Sequence, residues 1–305
     1  MKLVLFDDFR LGVLKDGGVV DVMNAVKDVP AHTPQTLMAG VIEAFPRLRP
    51  RLEEAAAKGA VKPLGRVRLR APLPRPGKLV CAAVNYMEFG TRQPEELPLE
   101  AFLKASNAVI GDGDTVVLDE ECKATVFHHE AELALVIGKV AKKVPQSKAM
   151  DYIFGYTGLM DISARGFNPG GRVSFFQVKS WDTFAPMGPC IVTADEIPDP
   201  SNLNLRMWCS GEPRHNFNTS DMAHKIPELV EFLSRVITLE PGDVVATGTN
   251  HQGIGAIQDG DEVVMEVQGV GKLTVHVKDP AKRQWPRGVD EAMASRMRGP
   301  AAPRR

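Results

Sequence analysis

Cysteine, net charge and long apolar runs are all scarce in this sequence, and each shortage removes a class of protein. The four cysteines of the 305-residue chain, Cys81, Cys122, Cys190 and Cys209, lie far apart and form no Cys-x-x-Cys pair. That spacing argues against a structural zinc site and a disulfide framework, and it points to a reducing cytoplasm with buried, inert thiols. Basic and acidic side chains nearly cancel, 37 against 38. No global field therefore draws the molecule to nucleic acid or to an anionic membrane surface. No apolar run approaches the roughly 20 residues of a membrane-spanning helix. Asp7 and Asp8 interrupt the first apolar stretch before a signal-peptide core could form.

What is present is an ordinary globular composition, 44% hydrophobic and 25% charged, in a chain long enough for one substantial core and a smaller appended unit. Residues 1–70 read as that unit, a small N-terminal α/β domain. Its β-prone runs, Leu3–Phe6, Leu11–Leu14 and Val19–Val22, are separated by Asp and Gly as hairpins require. Thr33-Pro34 supplies a helix N-cap with proline in the first turn, and Gly59 can close the helical stretch. Pro46 and Pro50 favour two short helices over one long one.

Ala71-Pro-Leu-Pro-Arg-Pro-Gly77 is a stiff, extended linker, and a second domain is expected over residues 71–280. Its β-rich runs are Leu79–Val84, Thr115–Leu118, Glu130–Ile137, Cys190–Thr193, Leu203–Trp208, Asp243–Thr247, Glu262–Val267 and Leu273–Val277, with Gly269-Val270-Gly271 joining the last two as a hairpin. Lys148–Phe154 and Ser220–Val236 read as helices, with Pro227 bending the second or falling near its first turn. Strands so outnumbering helices, without βαβ alternation, give an α+β, β-rich fold class and exclude Rossmann and TIM-barrel architectures. Residues 281–305 mix Lys and Arg with Pro and Ala and read as a flexible basic tail or a short surface helix.

The chemistry concentrates in Phe127-His-His-Glu-Ala-Glu-Leu-Ala-Leu-Val-Ile-Gly138. On a strand, side chains alternate faces, so His128, Glu130 and Glu132 share one face as the chain enters an apolar core. Two carboxylates at the edge of a buried strand repel each other, and a cation offsets that cost. Oxygen-only ligands suit a hard ion, Mg²⁺, Mn²⁺ or Ca²⁺. On the strand pattern alone, a pair of solvated carboxylates is an equal reading. Asp161, placed after an apolar stretch and before a Gly-rich loop, offers a third carboxylate, although a lone Asp there also suits a cap or an Asx turn. Lys179 and the Gly-rich loop around Gly248-Thr249 follow, the latter with amides or a hydroxyl for an anion but without the Lys-Ser/Thr of a P-loop.

In order and spacing, these pieces resemble the fumarylacetoacetate hydrolase family across roughly residues 76–278. The matching stretches are Asn85-Tyr86, Phe102-Leu-Lys104, His128-His-Glu-Ala-Glu-Leu133, Gly155-Tyr with Asp161-Ile-Ser-Ala-Arg165, Lys179-Ser180, Pro186–Pro189, Leu239-Glu-Pro-Gly-Asp243 and Thr247-Gly-Thr249. The resemblance implies a mixed β-roll, a homodimer, and a metal site of Glu130, Glu132 and Asp161 holding Mg²⁺ or Mn²⁺. It further implies that Lys179 stands beside the metal as a catalytic residue. Arg165 and Thr249 line the substrate pocket, with Tyr86 and Lys104 in segments that border it. The implied substrate is a small 2-oxo or 2,4-dioxo acid, chelated through its carboxylate and adjacent carbonyl so that an enolate is stabilised.

One departure concerns the base. Many hydrolytic members carry a His three residues after the Tyr of the Asn-Tyr pair, with a Glu close behind, as a lid dyad that activates water. Here Phe89 stands at the His position and Arg92 near the Glu, while Met87 replaces a common Arg. Gly166, Asn168, Asn250 and the Ser210-Gly211-Glu212 turn also differ from the frequent pattern, and His251 is an addition. Glu88 and His128 are the available substitutes for the base, His128 with the alternative task of orienting a neighbour. The leading expectation is a C–C hydrolase of acylpyruvate or fumarylacetoacetate type. The alternatives are a 2-hydroxyhepta-2,4-dienedioate isomerase or oxaloacetate decarboxylase, which needs no activated water, and a non-catalytic metal-dependent binder of 2-oxo acids.

Overall fold

The strand Ala131–Ile137 is buried at all 7 of its positions, and that burial explains how the rest of the chain is arranged around it. A strand covered on both faces reads as a continuous apolar run rather than an alternating one. In the computed structural model, which describes residues 1–167 and 174–298, this strand sits inside a large mixed sheet. It pairs antiparallel with Ile153–Met160 on one side and with Val244–Ala246 on the other. Val244–Ala246 in turn runs parallel to Leu79–Ala83, and Ile153–Met160 pairs with Ala185–Thr193. The single strand expected over Glu130–Ile137 starts later, at Ala131: Val126–His128 pairs separately with Ser163–Arg165, and the chain breaks between the two strands.

One face of the large sheet, through Leu133, Leu135, Tyr156 and Met160, packs on a second sheet carrying Leu205, Met207, Met265 and Leu273. That second sheet has the order Glu212–Asn218, Asn204–Cys209, Glu262–Val267, Gly271–Lys278, Thr115–Val117. The opposite face, through Ala134, Val136 and Leu159, packs on helices α1 (Pro34–Glu43) and α2 (Phe45–Lys58). Helix α1 buries Leu37, Met38, Val41 and Ile42, and α2 buries Phe45, Leu48, Leu52 and Ala56, the spacing of a single apolar stripe on each. Thr33 Oγ1 caps α1 by accepting from Thr36 N–H at 3.1 Å, and the expected break falls at Ala44, with Pro46 in the first turn of α2 and Pro50 inside it.

The sheet runs unbroken across the expected boundary near residue 70. Lys2–Phe6 pairs with Ala185–Thr193, in the register Lys2 to Val192 and Leu3 to Ile191. The Met1 ammonium donates to Thr193 Oγ1 at 2.6 Å. The first 70 residues thus share both a sheet and a core with the rest of the chain.

Three other elements differ from expectation. Lys148–Phe154 is a 3₁₀ turn, Gln146–Tyr152, running into a strand. After the short helix α3 (Phe175–Lys179), the expected helix Ser220–Val236 begins later, as α4 (Ile226–Val236), because Pro227 suits the first turn and no later position. Of the two readings of residues 281–305, the flexible tail gives way to the short helix, and the segment is packed as far as residue 298. The Arg283 guanidinium donates to the carbonyls of Cys122 at 2.8 Å and Leu118 at 2.9 Å and pairs with Asp279. Trp285 Nε1 donates to Thr125 O at 2.6 Å, and α5 (Glu291–Met297) follows, capped by Asp290. Residues 299–305 lie outside the described residues, as does Asn168. No helix among the described residues is long and apolar enough to cross a membrane.

Candidate metal centre and active-site cavity

The break between Val126–His128 and Ala131–Ile137 creates the site. Their partner strands, Ser163–Arg165 and Ile153–Met160, break at the same level, and Asp161 N–H donates to Glu130 O at 3.0 Å across the gap. Carboxylates from both sides of the bend meet there: one oxygen each from Glu130, Glu132 and Asp161 lies within 4.8 Å of the others, and all three residues are buried.

Two of the three have cations on them. Lys179 Nζ, at the end of α3, donates to Glu130 Oε2 at 2.6 Å and to Asp161 Oδ2 at 2.5 Å. Lys104 Nζ donates to Asp161 Oδ1 at 2.5 Å and to Ile162 O at 3.1 Å, and Arg165 pairs with Glu130 Oε1. Glu132 is the exception. Its only hydrogen-bond partner among the described residues is the Gly248 N–H, at 2.6 Å from Oε2. Gly248 adopts φ +86°, and an added Cβ would lie 3.2 Å from Asn85 Cβ, so the turn that aims this amide requires glycine.

The electrostatics follow from that asymmetry. Burial, then the charges of Asp161 and Glu130, raise the Glu132 pKa well above the ordinary carboxylate value. For Glu130, burial acts upward, but Lys179 and Arg165 outweigh it and hold the carboxyl below its usual range. For Lys179, burial acts downward and is outweighed by Asp161 and Glu130, so its ammonium is stabilised. Three hard oxygen donors, one of them a buried carboxylate without a cation, are the donor set that a divalent ion such as Mg²⁺, Mn²⁺ or Ca²⁺ fits.

A cavity of about 230 Å³ opens over these carboxylates. Lys179, Arg165, Thr249 and His251 stand on its polar side; Phe102, Phe175, Met293 and Met297 form an apolar wall. Phe102 and Phe175 stack with ring centroids 4.6 Å apart, and Lys179 Nζ lies 5.5 Å over Phe102. The two methionines come from α5, four residues apart on one helix face, in a stretch read from sequence as a tail or a short surface helix with no part in the site.

The remaining expected residues lie elsewhere. Lys104 is buried behind Asp161 rather than on the cavity wall. Tyr86 is also buried off the wall, its ring against Phe217 at 5.0 Å. His128 Nδ1 accepts from Arg165 Nε at 3.0 Å, which places the proton of the neutral ring on Nε2; Asp290 Oδ2 lies 3.1 Å from Nε2 but outside hydrogen-bond geometry. Burial, reinforced by Arg165, pushes its pKa down to about 4. This neutral His128 has no free lone pair for the proton transfer expected of it. Next to it, His129 and His215 are buried with rings 5.1 Å apart; burial and the neighbouring imidazoles lower both pKa values, that of His215 to about 4.

Phe89 is 58% exposed, whereas Glu88 beside it is fully buried. Glu88, Phe89 and Gly90 have φ values of 53°, 59° and 73°, a left-handed turn that rotates the carboxylate inward. There Glu88 Oε1 meets His251 Nδ1 at 2.7 Å, and Oε2 accepts from His251 N–H at 2.9 Å and Gln252 Nε2 at 2.7 Å. Reasoning from sequence raised Glu88 and His251 separately but did not pair them.

Comparison with known proteins identifies the family. Residues 78–278 match the family model described as fumarylacetoacetate (FAA) hydrolase C-terminal. A maleylpyruvate hydrolase of Aquipseudomonas alcaligenes is 35% identical over 297 residues, covering 91% of this chain and 99% of that one. The crystal structure of maleylpyruvate hydrolase from Sphingobium sp. SYK-6 in complex with manganese (II) ion and pyruvate has a TM-score of 0.82 at 36% identity, covering 92% of this chain and 99% of that one. The crystal structure of 2-hydroxyhepta-2,4-diene-1,7-dioate isomerase from Mycobacterium marinum has a TM-score of 0.69 at 31% identity, covering 92% of this chain and 100% of that one. The chain belongs to the fumarylacetoacetate hydrolase family.

Proposed function

We propose that the protein is a divalent-metal-dependent hydrolase that splits a C–C bond in small 2,4-dioxo acids of the maleylpyruvate type, releasing pyruvate and a second carboxylic acid. The observation that carries this reading is Glu132, a buried carboxylate beside two others with no cation on it among the described residues. Glu130, Glu132 and Asp161 would hold the ion, Mg²⁺ in the first instance, with Mn²⁺ or Ca²⁺ as substitutes. A bound divalent ion supplies a Lewis-acid centre for the carboxylate and neighbouring carbonyl oxygen of such an acid.

The protein's own groups complete the chemistry. Three carboxylates face three cations, Lys104, Lys179 and Arg165, so these groups balance, and a divalent ion leaves two positive charges. That surplus matches an acid whose negative charge grows as an enolate develops. Lys179, on the cavity wall, is assigned to neutralise the enolate, with Arg165 and Thr249 as substrate-binding residues. Lys104 holds Asp161, Tyr86 packs behind the wall, and His128 orients Arg165. Homodimeric assembly, a cytoplasmic setting and a place in aromatic-compound breakdown complete the proposal.

One observation favours a second reading, isomerisation of 2-hydroxydienoic acids: Phe89 faces solvent at the position where hydrolytic members carry a lid His. A single assay separates the two. Metal-stripped protein is given Mg²⁺ or Mn²⁺ and then maleylpyruvate, an acylpyruvate or a 2-hydroxydienedioate, with pyruvate release and ultraviolet absorbance followed together. The expected result is metal-dependent pyruvate release from a 2,4-dioxo acid. Turnover that persists in chelator, or isomerisation without pyruvate, would refute the hydrolase assignment.

A further inference from the structure

We propose that His251, held by Glu88, is the base that activates water: the carboxylate of the pair stays on the lid segment, while the imidazole comes from the loop after Gly248-Thr249. This rests on the hydrolase reading above and supplies the proton-transfer group that Phe89 cannot. The Glu88 carboxylate accepts the His251 ring at Nδ1, and an ionised carboxylate can only accept, so the ring proton sits on Nδ1. Nε2 is then a lone pair, with no protein hydrogen bond among the described residues, on a ring that lines the cavity beside the three carboxylates. His128, the other imidazole near the carboxylates, has the opposite tautomer, and its one lone pair, on Nδ1, is taken by Arg165 Nε.

The pair is held from several sides. Asp221 Oδ2 accepts from Phe89 N–H at 3.1 Å and from Asn250 Nδ2 at 2.8 Å, tying the left-handed turn to the loop that carries His251. Gln252 Nε2 bridges Glu88 Oε2 at 2.7 Å and Ala294 O of α5 at 3.1 Å. A positive φ at Glu88 and Phe89 is strained for a residue with a side chain and persists only where the surroundings impose it, as these contacts do.

Nε2 removes a proton from water as the hydroxyl oxygen bonds to the C4 carbonyl carbon of the 2,4-dioxo acid. The C3–C4 bond then breaks, its electron pair passing to the pyruvyl fragment as an enolate and its C4 fragment leaving as a carboxylic acid. The imidazolium returns its proton to C3, giving pyruvate, and the carboxylic acid loses its own proton to solvent. His251 is thus the catalytic residue, and Glu88 is a positioning residue that fixes its tautomer.

His251→Ala and Glu88→Gln test this, with the Mn²⁺-induced rise in melting temperature as the measure of an intact fold and metal centre. His251→Ala is expected to lower kcat by about 10²–10⁴-fold with KM and the Mn²⁺ shift unchanged, and added imidazole should restore part of the turnover. Glu88→Gln keeps the shape but can donate to Nδ1, favouring the wrong tautomer; kcat should fall at least about tenfold, with no rescue by imidazole because the ring still fills its place. A kcat for His251→Ala within threefold of the parent would overturn the proposal. So would a loss of turnover in both variants accompanied by loss of the Mn²⁺ shift, which would mark a structural role. A parent protein that releases no pyruvate from any 2,4-dioxo acid refutes the hydrolase reading instead, and the two failures are therefore distinguishable.

Discussion

Replacing Glu132 by Gln is expected to stabilise the metal-free protein while removing its response to metal. The carboxylate is 1% exposed and accepts one hydrogen bond, from Gly248 N–H at 2.6 Å. Burial and the charges of Asp161 and Glu130 raise its pKa well above the ordinary 4.5. A raised pKa in the folded state means that the stability linked to this group is fully present below the unfolded-state value and is lost as pH rises through the displaced one. Over that window the loss is about 1.4 kcal/mol per pH unit. Gln retains the acceptor for Gly248 and does not titrate, so the variant should gain on the parent at that rate as pH rises above 4.5, about 2 °C of melting temperature per kcal/mol. Metal reverses the order: at a hundred times its Kd, an ion bound to the folded parent alone adds about 2.7 kcal/mol. The variant, short of one anionic ligand, should lose most of that increment. Thermal unfolding in chelator from pH 5 to 7.5, repeated with Mn²⁺, reads both effects. A variant less stable than the parent in chelator at pH 7.5, or one that keeps the parent's full Mn²⁺ shift, would refute the assignment of Glu132 as the uncompensated ligand.

Lys179→Met should leave metal binding intact or tighter, because it unshields Glu130 and Asp161, and should lower kcat by about 10²–10³-fold; Mn²⁺ titration alongside turnover checks both. Gly248→Ala, at φ +86° with Asn85 Cβ 3.2 Å away, should destabilise by about 1–2 kcal/mol in urea unfolding and weaken the Mn²⁺ shift, since the amide that orients Glu132 is displaced. His215 has a folded-state pKa of about 4 against an ordinary 6.5. A depressed value means that stability is present above pH 6.5 and lost as pH falls towards 4, here about 3 kcal/mol. His215→Phe should remove that share of the acid sensitivity in urea unfolding at pH 7 and 4.5, and an unchanged acid loss would contradict the burial of a neutral ring.

The carboxylate cluster was legible because Glu130, Glu132 and Asp161 are polar interruptions of runs that are otherwise apolar, and such interruptions need a partner. Alternation along the strand failed only at His128. The strand ends there and the chain bends at His129 and Glu130, so a two-residue period cannot be carried through, and His128 turns to Arg165 instead. The pairing of Glu88 with His251 was not legible because it depends on left-handed backbone at Glu88 and Phe89, which non-glycine residues adopt only when distant contacts hold them. Strand propensity located Lys2–Phe6 but not its partner Ala185–Thr193, since residue pattern names strands and not their neighbours. Helix α5 was legible only as one of two readings, because at 7 residues its apolar spacing barely stands out from a polar, proline-flanked segment.

The two halves of the site differ in how far apart their members lie along the chain. Glu130 and Asp161 flank the end of one antiparallel pair, Ala131–Ile137 with Ile153–Met160, whereas Glu88 and His251 are 163 residues apart and meet only through loops. Closing so long a separation yields contacts that depend on the completed tertiary structure, while a strand pair can survive local opening elsewhere. On the roles proposed above, mild denaturant would therefore part Glu88 from His251 before it parts Glu130 from Asp161, leaving a state that binds the ion but lacks the base. Metal occupancy alone would overstate the fraction of competent molecules, and the ratio of turnover to bound ion would report how cooperatively the last loops close.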